Sequence, residues 1–267
     1  MEVFILYTEG RFSMLSELIE HLTTWVLRPR IAVIYHTWDD QFELLEVRLI
    51  YSSSEGQFAK ANVAIASAKS EWIVITHDDD ILLESTYELL KIANESECSL
   101  VAANAVSFGT NSEDWNIRHN QAFAHFLSTP HSRFLDDVFI RGNPIVFSGV
   151  LLNRRKVLAA GGFNEKFVHF GDFELWLRLS KLGEFRYVDF VNLRYRLHEN
   201  QNSLMTSAVG RLEMSLICSH HMLNRSDGGS YRIGSLKNLF AVVRLLLVRD
   251  FVSLSLLAKL KNELCKK

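Results

Sequence analysis

The stretch EWIVITHDDDILL, residues 71–83, decides how this chain reads. A run of apolar, β-branched residues, the signature of a buried strand, ends in three consecutive carboxylates, Asp78, Asp79 and Asp80. Like charges placed side by side raise one another's pKa and oppose folding. Three of them at the end of a buried strand are favourable if a divalent cation neutralises them. The plainer alternative is a solvated acidic turn at the start of the next helix.

The flanking pattern places that strand in a parallel sheet. Residues 3–7, 31–35, 47–51 and 72–76 read as strands, and residues 14–25 and 58–68 as the helices between them. Ser85 and Glu88 have capping-box spacing ahead of a helix running to residue 92. Strand and helix alternate four times, which predicts an α/β fold with an open, mostly parallel sheet flanked by helices. In such sheets ligands bind beyond the carboxyl ends of the strands, where the three aspartates lie.

Further along, residues 104–141 are irregular and rich in His, Asn, Asp and Phe, and are assigned to the acceptor side. Residues 145–152 read as a strand, 154–160 as a short helix stopping at Gly161-Gly162, and 173–182 as a strong helix. Residues 185–197 are one bent strand or a strand pair. From about residue 206 the pattern is helical, with Asn224–Ser230 (NRSDGGS) as a linker candidate. This divides the chain into a unit over 1–205 and a basic helical extension over 206–267.

Bulk composition sets outer bounds. The chain has 267 residues, 48% hydrophobic and 22% charged, with a net charge of −2, which argues against a nucleic-acid partner. Charge is unevenly spread: residues 231–267 hold eight basic and two acidic residues, a net of +6, leaving −8 for the rest. Apolar residues Phe240, Val243, Leu247, Phe251, Leu254 and Leu257 recur there at helical spacing. The segment therefore suits an anionic membrane surface, or alternatively packing on the domain or a second subunit. The three cysteines, Cys98, Cys218 and Cys265, have neither metal nor disulfide spacing, which fits a reducing, cytoplasmic compartment. Neither a signal peptide nor a transmembrane stretch is read from the sequence.

The segment GVLLNRRKVLAAGGFNEKFVHFGDFELWLRLSKLGEFRYVDFVNLRYRLHENQNS, residues 149–203, resembles the family two inverting glycosyltransferases of the GT-A, Rossmann-like fold. An arginine-rich turn, a helix ending in GGF, an acidic position before LWLRL, and a Tyr-Arg-x-His segment occur in the family's order. ILYTEGR, GQFAKAN and THDDDIL extend the resemblance over roughly residues 1–205. It implies a metal-dependent transfer of one sugar from a nucleotide-sugar donor, most often a UDP-sugar, to a hydroxyl acceptor. It also implies Mn²⁺ or Mg²⁺ bridging the donor diphosphate, and a role in bacterial surface polysaccharide, lipopolysaccharide or glycolipid synthesis. The acceptor would be a saccharide or lipid-linked saccharide, reached from the inner face of the cytoplasmic membrane.

Residue by residue, the resemblance makes Asp79 the metal ligand, with His198 reaching the metal or diphosphate, and Asp78 and Asp80 serving the ribose or the metal's water shell. His77 replaces the family's first acidic residue. Thr8, Glu9 and Arg11 form the nucleotide-side turn, and Asn62 opens the next helix. Tyr35 or His36 stands where an acidic residue normally reads the base; either Asp39 serves instead, or the base stacks on Tyr35 or Trp38. Asp172 matches the general base, with Glu174 as a weaker candidate. Gly171 stands where the family carries a second acid. A non-catalytic nucleotide-sugar-binding protein and a two-carboxylate glycoside hydrolase remain rival readings.

Overall fold

The computed structural model describes residues 1–223 except 96, 111, 142 and 199–207. The linker candidate, the amphipathic basic tail and Cys265 lie outside the described residues.

The amino half follows the expected alternation. Strand β1 (Glu2–Leu6) leads to helix α1 (Phe12–Thr23), β2 (Arg30–Tyr35) and β3 (Arg48–Tyr51), then helix α2 (Gln57–Ser67) and β4 (Trp72–His77). Strand β1 lies between β2 and β4, parallel to both, and β2 also pairs in parallel with β3. All of β1 is buried, as a central strand covered on both faces must be. Leu15, Leu18, Ile19 and Leu22 form the buried stripe of α1.

The remainder departs from an open parallel sheet. After β4 come β5 (Ile81–Leu82), helix α3 (Thr86–Asn94), β6 (Cys98–Gly109), helices α4 (Ser112–Leu127) and α5 (Phe134–Arg141), and β7 (Leu151–Asn153). Helices α6 (Arg154–Ala159) and α7 (Gly171–Leu179), strand β8 (Glu184–Leu197) and helix α8 (Ala208–Leu223) follow. The eight strands form one sheet in the order β3-β2-β1-β4-β7-β6-β8-β5. Strand β7 runs antiparallel to both β4 and β6, and β5 runs antiparallel to β8, so the sheet is mixed.

The sheet also curls. β4 and β5 stand four strand positions apart, about 19 Å across a flat sheet. Yet only Asp78, Asp79 and Asp80 join them, a link of at most about 14 Å. The sheet must bend back on itself into a half-barrel. Register shifts opposite Ala103–Asn104–Ala105, where β8 carries the extra residues Asp189, Phe190 and Asn192, supply the bend. The triple-aspartate turn is the chord across that curve, trapped between β4 and the far end of β8.

Several local expectations change. Residues 98–109 form a long strand that the alternation did not reveal, and residues 185–197 belong to the single strand β8. Ser85 does not form a capping box: its hydroxyl donates to the Val191 carbonyl of β8 at 2.7 Å, and Glu88 pairs with Lys91. Helix α8, assigned to the tail unit by sequence, contributes Leu212, Ile217 and Cys218 to buried positions. Cys98 and Cys218 are buried free thiols. Among the described residues no helix is long and apolar enough to cross a membrane.

Candidate active site

The carboxyl ends of β1, β2, β3 and β4 all face one rim of the sheet, as their parallel pairing requires. Thr8 and Arg11 follow β1, Tyr35 ends β2, Tyr51 ends β3, and His77 through Asp80 end β4. The curl adds the end of β8, bringing in Arg196 and His198.

The three aspartates are almost wholly buried and each has a different environment. Asp78 Oδ2 accepts the Thr8 amide at 2.5 Å, and its Oδ1 lies 3.4 Å from the Arg11 guanidinium. Burial still pushes its carboxyl up to about 7. Asp79 Oδ2 accepts from Arg11 at 2.7 Å and from His198 Nε2 at 2.9 Å. Burial works against its ionisation, but His77, His198 and Arg11 together hold it below the usual carboxylate range. Asp80 Oδ1 accepts the Arg196 amide at 3.0 Å. Its Oδ2 is buried without a hydrogen bond of normal geometry, although the Ser148 hydroxyl stands near enough to weigh on its charge. Burial first, and Asp79 second, push Asp80 up to about 8.

A buried, unpartnered carboxylate oxygen is costly, and a cation bound there removes the cost. Ligand atoms of His77, Asp79 and Asp80 lie within 4.8 Å of one another, so one ion can meet all three. One imidazole and two carboxylates suit Mn²⁺ better than an all-oxygen octahedral ion such as Mg²⁺. The residues present therefore fit a divalent metal. His198, which sequence reading favoured as a ligand, stands one hydrogen bond away on Asp79.

The environment of His77 prepares it to ligate. Gln57 Nε2 donates to the Val168 carbonyl at 2.7 Å, which turns Gln57 Oε1 toward His77 Nε2 at 3.0 Å. Nε2 must then carry the proton, leaving Nδ1 with its lone pair free for a cation. Nδ1 lies 3.4 Å from the Ser148 hydroxyl, the same hydroxyl that neighbours Asp80. Burial lowers the His77 pKa to about 4, so the ring is neutral at physiological pH.

Beside this cluster lies an aromatic rim. Tyr35 packs edge-on against Trp38 and Tyr51, and His36 stacks on Tyr51. Trp38 and Tyr51 are exposed and available to stack on a flat ligand. Asp39 is held by the Tyr7 hydroxyl at 2.5 Å and caps the turn Asp40–Leu44 through the Gln41 amide. Tyr7 lowers the Asp39 pKa in return. Glu9 is exposed at the mouth of the β1 turn.

Asn62 does not join the cluster. Its amide brackets Phe163, donating to the carbonyl at 2.9 Å and accepting the amide at 2.8 Å, and it also donates to Glu165. It thereby pins the Gly161-Gly162-Phe163 turn, in which both glycines have positive φ. Sequence reasoning also missed Lys60, two residues earlier on α2. It is buried, donates to the Tyr7 carbonyl, and contributes positive charge near Asp78. A lysine inside an Ala-rich buried helix face was the available signal.

Asp172 lies half-buried in the first turn of α7. It is not the N-cap, a position taken by Phe170. Burial raises its carboxyl, the Phe173 and Asp172 amides pull it down, and Glu213 adds a smaller push upward, leaving it raised to about 7. Glu174 is committed elsewhere: it grips Arg178 at 2.7 and 2.5 Å, and Arg178 reaches the carbonyls of Ala160 and Gly162. This makes Glu174 an anchor of the glycine turn. Arg194 and Arg196 both stack on Phe108, as same-face neighbours on a strand should, and Arg196 also reaches Asp79's carbonyl and Glu17.

No protein-family model and no curated protein matches the chain. Solved structures do match. TarS 1-349 of S. aureus in complex with UDP-GlcNAc is 11% identical with a TM-score of 0.64, over 99% of this chain and 80% of that one. TarS 1-349 in complex with UDP is 13% identical with a TM-score of 0.60, over 90% and 71%. The mannosyltransferase PcManGT from Pyrobaculum calidifontis, in complex with GDP-Man and Mn²⁺, is 13% identical with a TM-score of 0.56, over 97% and 78%. At such identities the likeness establishes a shared fold.

Proposed function

We propose that this chain is an inverting, metal-dependent glycosyltransferase of the GT-A type that moves one sugar from a nucleotide-sugar, a UDP-sugar by preference, to a hydroxyl acceptor. The observation that carries this reading is the buried Asp78–Asp80 turn, with the unpartnered oxygen of Asp80 and the neutral imidazole of His77 converging on it. Such a cluster at the carboxyl end of a sheet suits a metal–diphosphate. The shared fold supports it, since TarS was solved with UDP-GlcNAc and PcManGT with GDP-Man and Mn²⁺.

In this reading Asp79, Asp80 and His77 would hold the ion, with His198 bracing Asp79. Bound there, a divalent ion would supply Lewis-acid stabilisation of a departing diphosphate. Arg11 and the Thr8 amide fix the turn against the nucleotide, with Glu9 at its edge, while Tyr35, Trp38 and Tyr51 form the surface for the base. Asp172 accepts the proton of the acceptor hydroxyl as its oxygen bonds to the anomeric carbon. The bond from that carbon to the diphosphate breaks on the opposite face, releasing the nucleoside diphosphate. A carboxyl near 7 suits a general base at neutral pH. The basic tail would bring the site to an anionic inner leaflet and a lipid-linked saccharide, as bacterial surface-polysaccharide synthesis requires.

The test is a thermal-shift panel of UDP, GDP, dTDP and CMP, each with and without Mn²⁺. A ligand at about 100 times its Kd stabilises by about 2.7 kcal/mol. A Mn²⁺-dependent shift with one nucleotide, absent in Asp79→Ala, supports the site and names the donor class. No shift with any nucleotide overturns it.

A further inference from the structure

Helix α8 lies beyond residues 1–205, over which the sequence motifs resemble the glycosyltransferases, yet it reaches the segment leading into Asp172. Glu213 of α8 is fully buried. Its Oε1 accepts the Val168 amide at 2.6 Å, and its Oε2 accepts the His169 and Phe170 amides at 2.8 and 3.0 Å. Three successive amides thus converge on one carboxylate. Phe170 is the N-cap of α7, and Asp172 sits two residues on. From the other side Gln57 holds the Val168 carbonyl while bonding His77. The segment is fixed at both faces, between the metal cluster and α8.

A buried carboxylate costs several kcal/mol unless hydrogen bonds replace its water. Charge-assisted bonds from backbone amides do that well, but a tether alone does not require a charge. A neutral turn packed on apolar residues would hold the segment without placing a carboxylate near a second one. We propose that Glu213 is a positioning residue for Asp172: its carboxylate sets the course of residues 168–170, and with it the direction from which Asp172 meets an acceptor hydroxyl. The same negative charge faces Asp172 and adds to burial in favouring its protonated form, which makes the carboxylate a stronger base. Glu213 is the charged side chain that weighs on Asp172. Glu174 of α7 is paired with Arg178, α2 presents the uncharged Gln57 and Phe58, and the loop before α7 carries Glu165, which accepts from Asn62, together with Lys166 and His169.

This inference rests on Asp172 being the general base, and the experiment separates the two. Protein labelled with ¹³C at aspartate carboxyls is titrated by NMR without metal or nucleotide, the Asp172 signal being assigned by its loss in Asp172→Asn. The wild-type midpoint is expected near the raised value. In Glu213→Gln it should fall by about half a pH unit or more, with faster hydrogen exchange at the 168–170 amides. Glu213→Asp, which withdraws the charge by one methylene, should move both readouts the same way by less, and it decides the matter if the glutamine variant does not fold. A folded variant with unchanged midpoint and unchanged exchange overturns the role of Glu213. Undiminished nucleotide-sugar hydrolysis or transfer in Asp172→Asn overturns the base reading itself, whatever Glu213 does.

Discussion

The ring of Phe58 occupies the space into which a Cβ on Gly171 would project, its Cε2 2.6 Å and its Cγ 3.0 Å from that point. Phe58 cannot swing aside, because it stacks on Phe163 and meets Phe147 edge-on. This is the physical reason for a glycine where the resembling family carries an acid before its base. Gly171→Ala should gain up to about 1 kcal/mol of helix propensity but lose about 1–3 kcal/mol to overpacking, a net destabilisation. In a Phe58→Ala background the clash is gone and the same change should stabilise. Urea unfolding of the four proteins of this cycle checks the reversal of sign.

The metal reading predicts a nitrogen ligand. Mn²⁺ bound to the wild-type protein should show ¹⁴N modulation in its pulsed electron spin-echo spectrum, and His77→Ala should abolish the modulation while weakening binding. Loss of an outer-shell partner typically lowers affinity about 10–100-fold, and loss of the ligand itself should cost more. Gln57→Ala should weaken binding less, since it only releases the ring's orientation. Modulation that persists in His77→Ala and vanishes in His198→Ala would transfer the ligand role to His198.

Much of this was legible in the sequence, for reasons that depend on range. β1 through β4 were readable because each is a local apolar run and the connecting helices have local periodicity. The acidic turn was readable because its three carboxylates are adjacent. The curl was not, because it arises from pairing between β5 and β8, more than a hundred residues apart, and from bulges in β8 that leave no local mark. Ser85 and Asn62 misled for a related reason: both have the right local spacing, but long-range partners, Val191 and Phe163, took their hydrogen bonds. Glu213 carries no motif at all, and only the packing of α8 reveals it.

The raised pKa of Asp172 makes two pH predictions. In the proposed reading Asp172 is a base that acts when deprotonated, so kcat/KM at fixed metal saturation should fall about tenfold per pH unit below about 7. The stability linkage has the opposite sense. A carboxyl whose folded pKa lies above its unfolded value of about 3.9 contributes most below that value and loses its contribution as pH rises through the folded pKa. Asp172→Asn, which has no charge to bury, should therefore be more stable than wild type at pH 8 and lose that advantage between about 7 and 4. Thermal melts of both proteins across this range decide it, and parallel curves would remove the burial argument.

Lys60 supplies the last prediction. Its ammonium donates to the Tyr7 carbonyl, at the end of β1 where the Thr8 amide meets Asp78, and its charge offsets that of Asp78. Burial lowers its own pKa, so the charge is costly by itself and is retained through these partners. Lys60→Met keeps the length and removes both functions. Leaving the Tyr7 carbonyl unpaired costs about 1–3 kcal/mol, and the uncompensated Asp78 adds to it. Asp78→Asn should recover the second part, making the double variant more stable than the sum of the single losses predicts. Urea denaturation without metal measures that coupling, and strict additivity would show that Lys60 serves the β1 carbonyl alone.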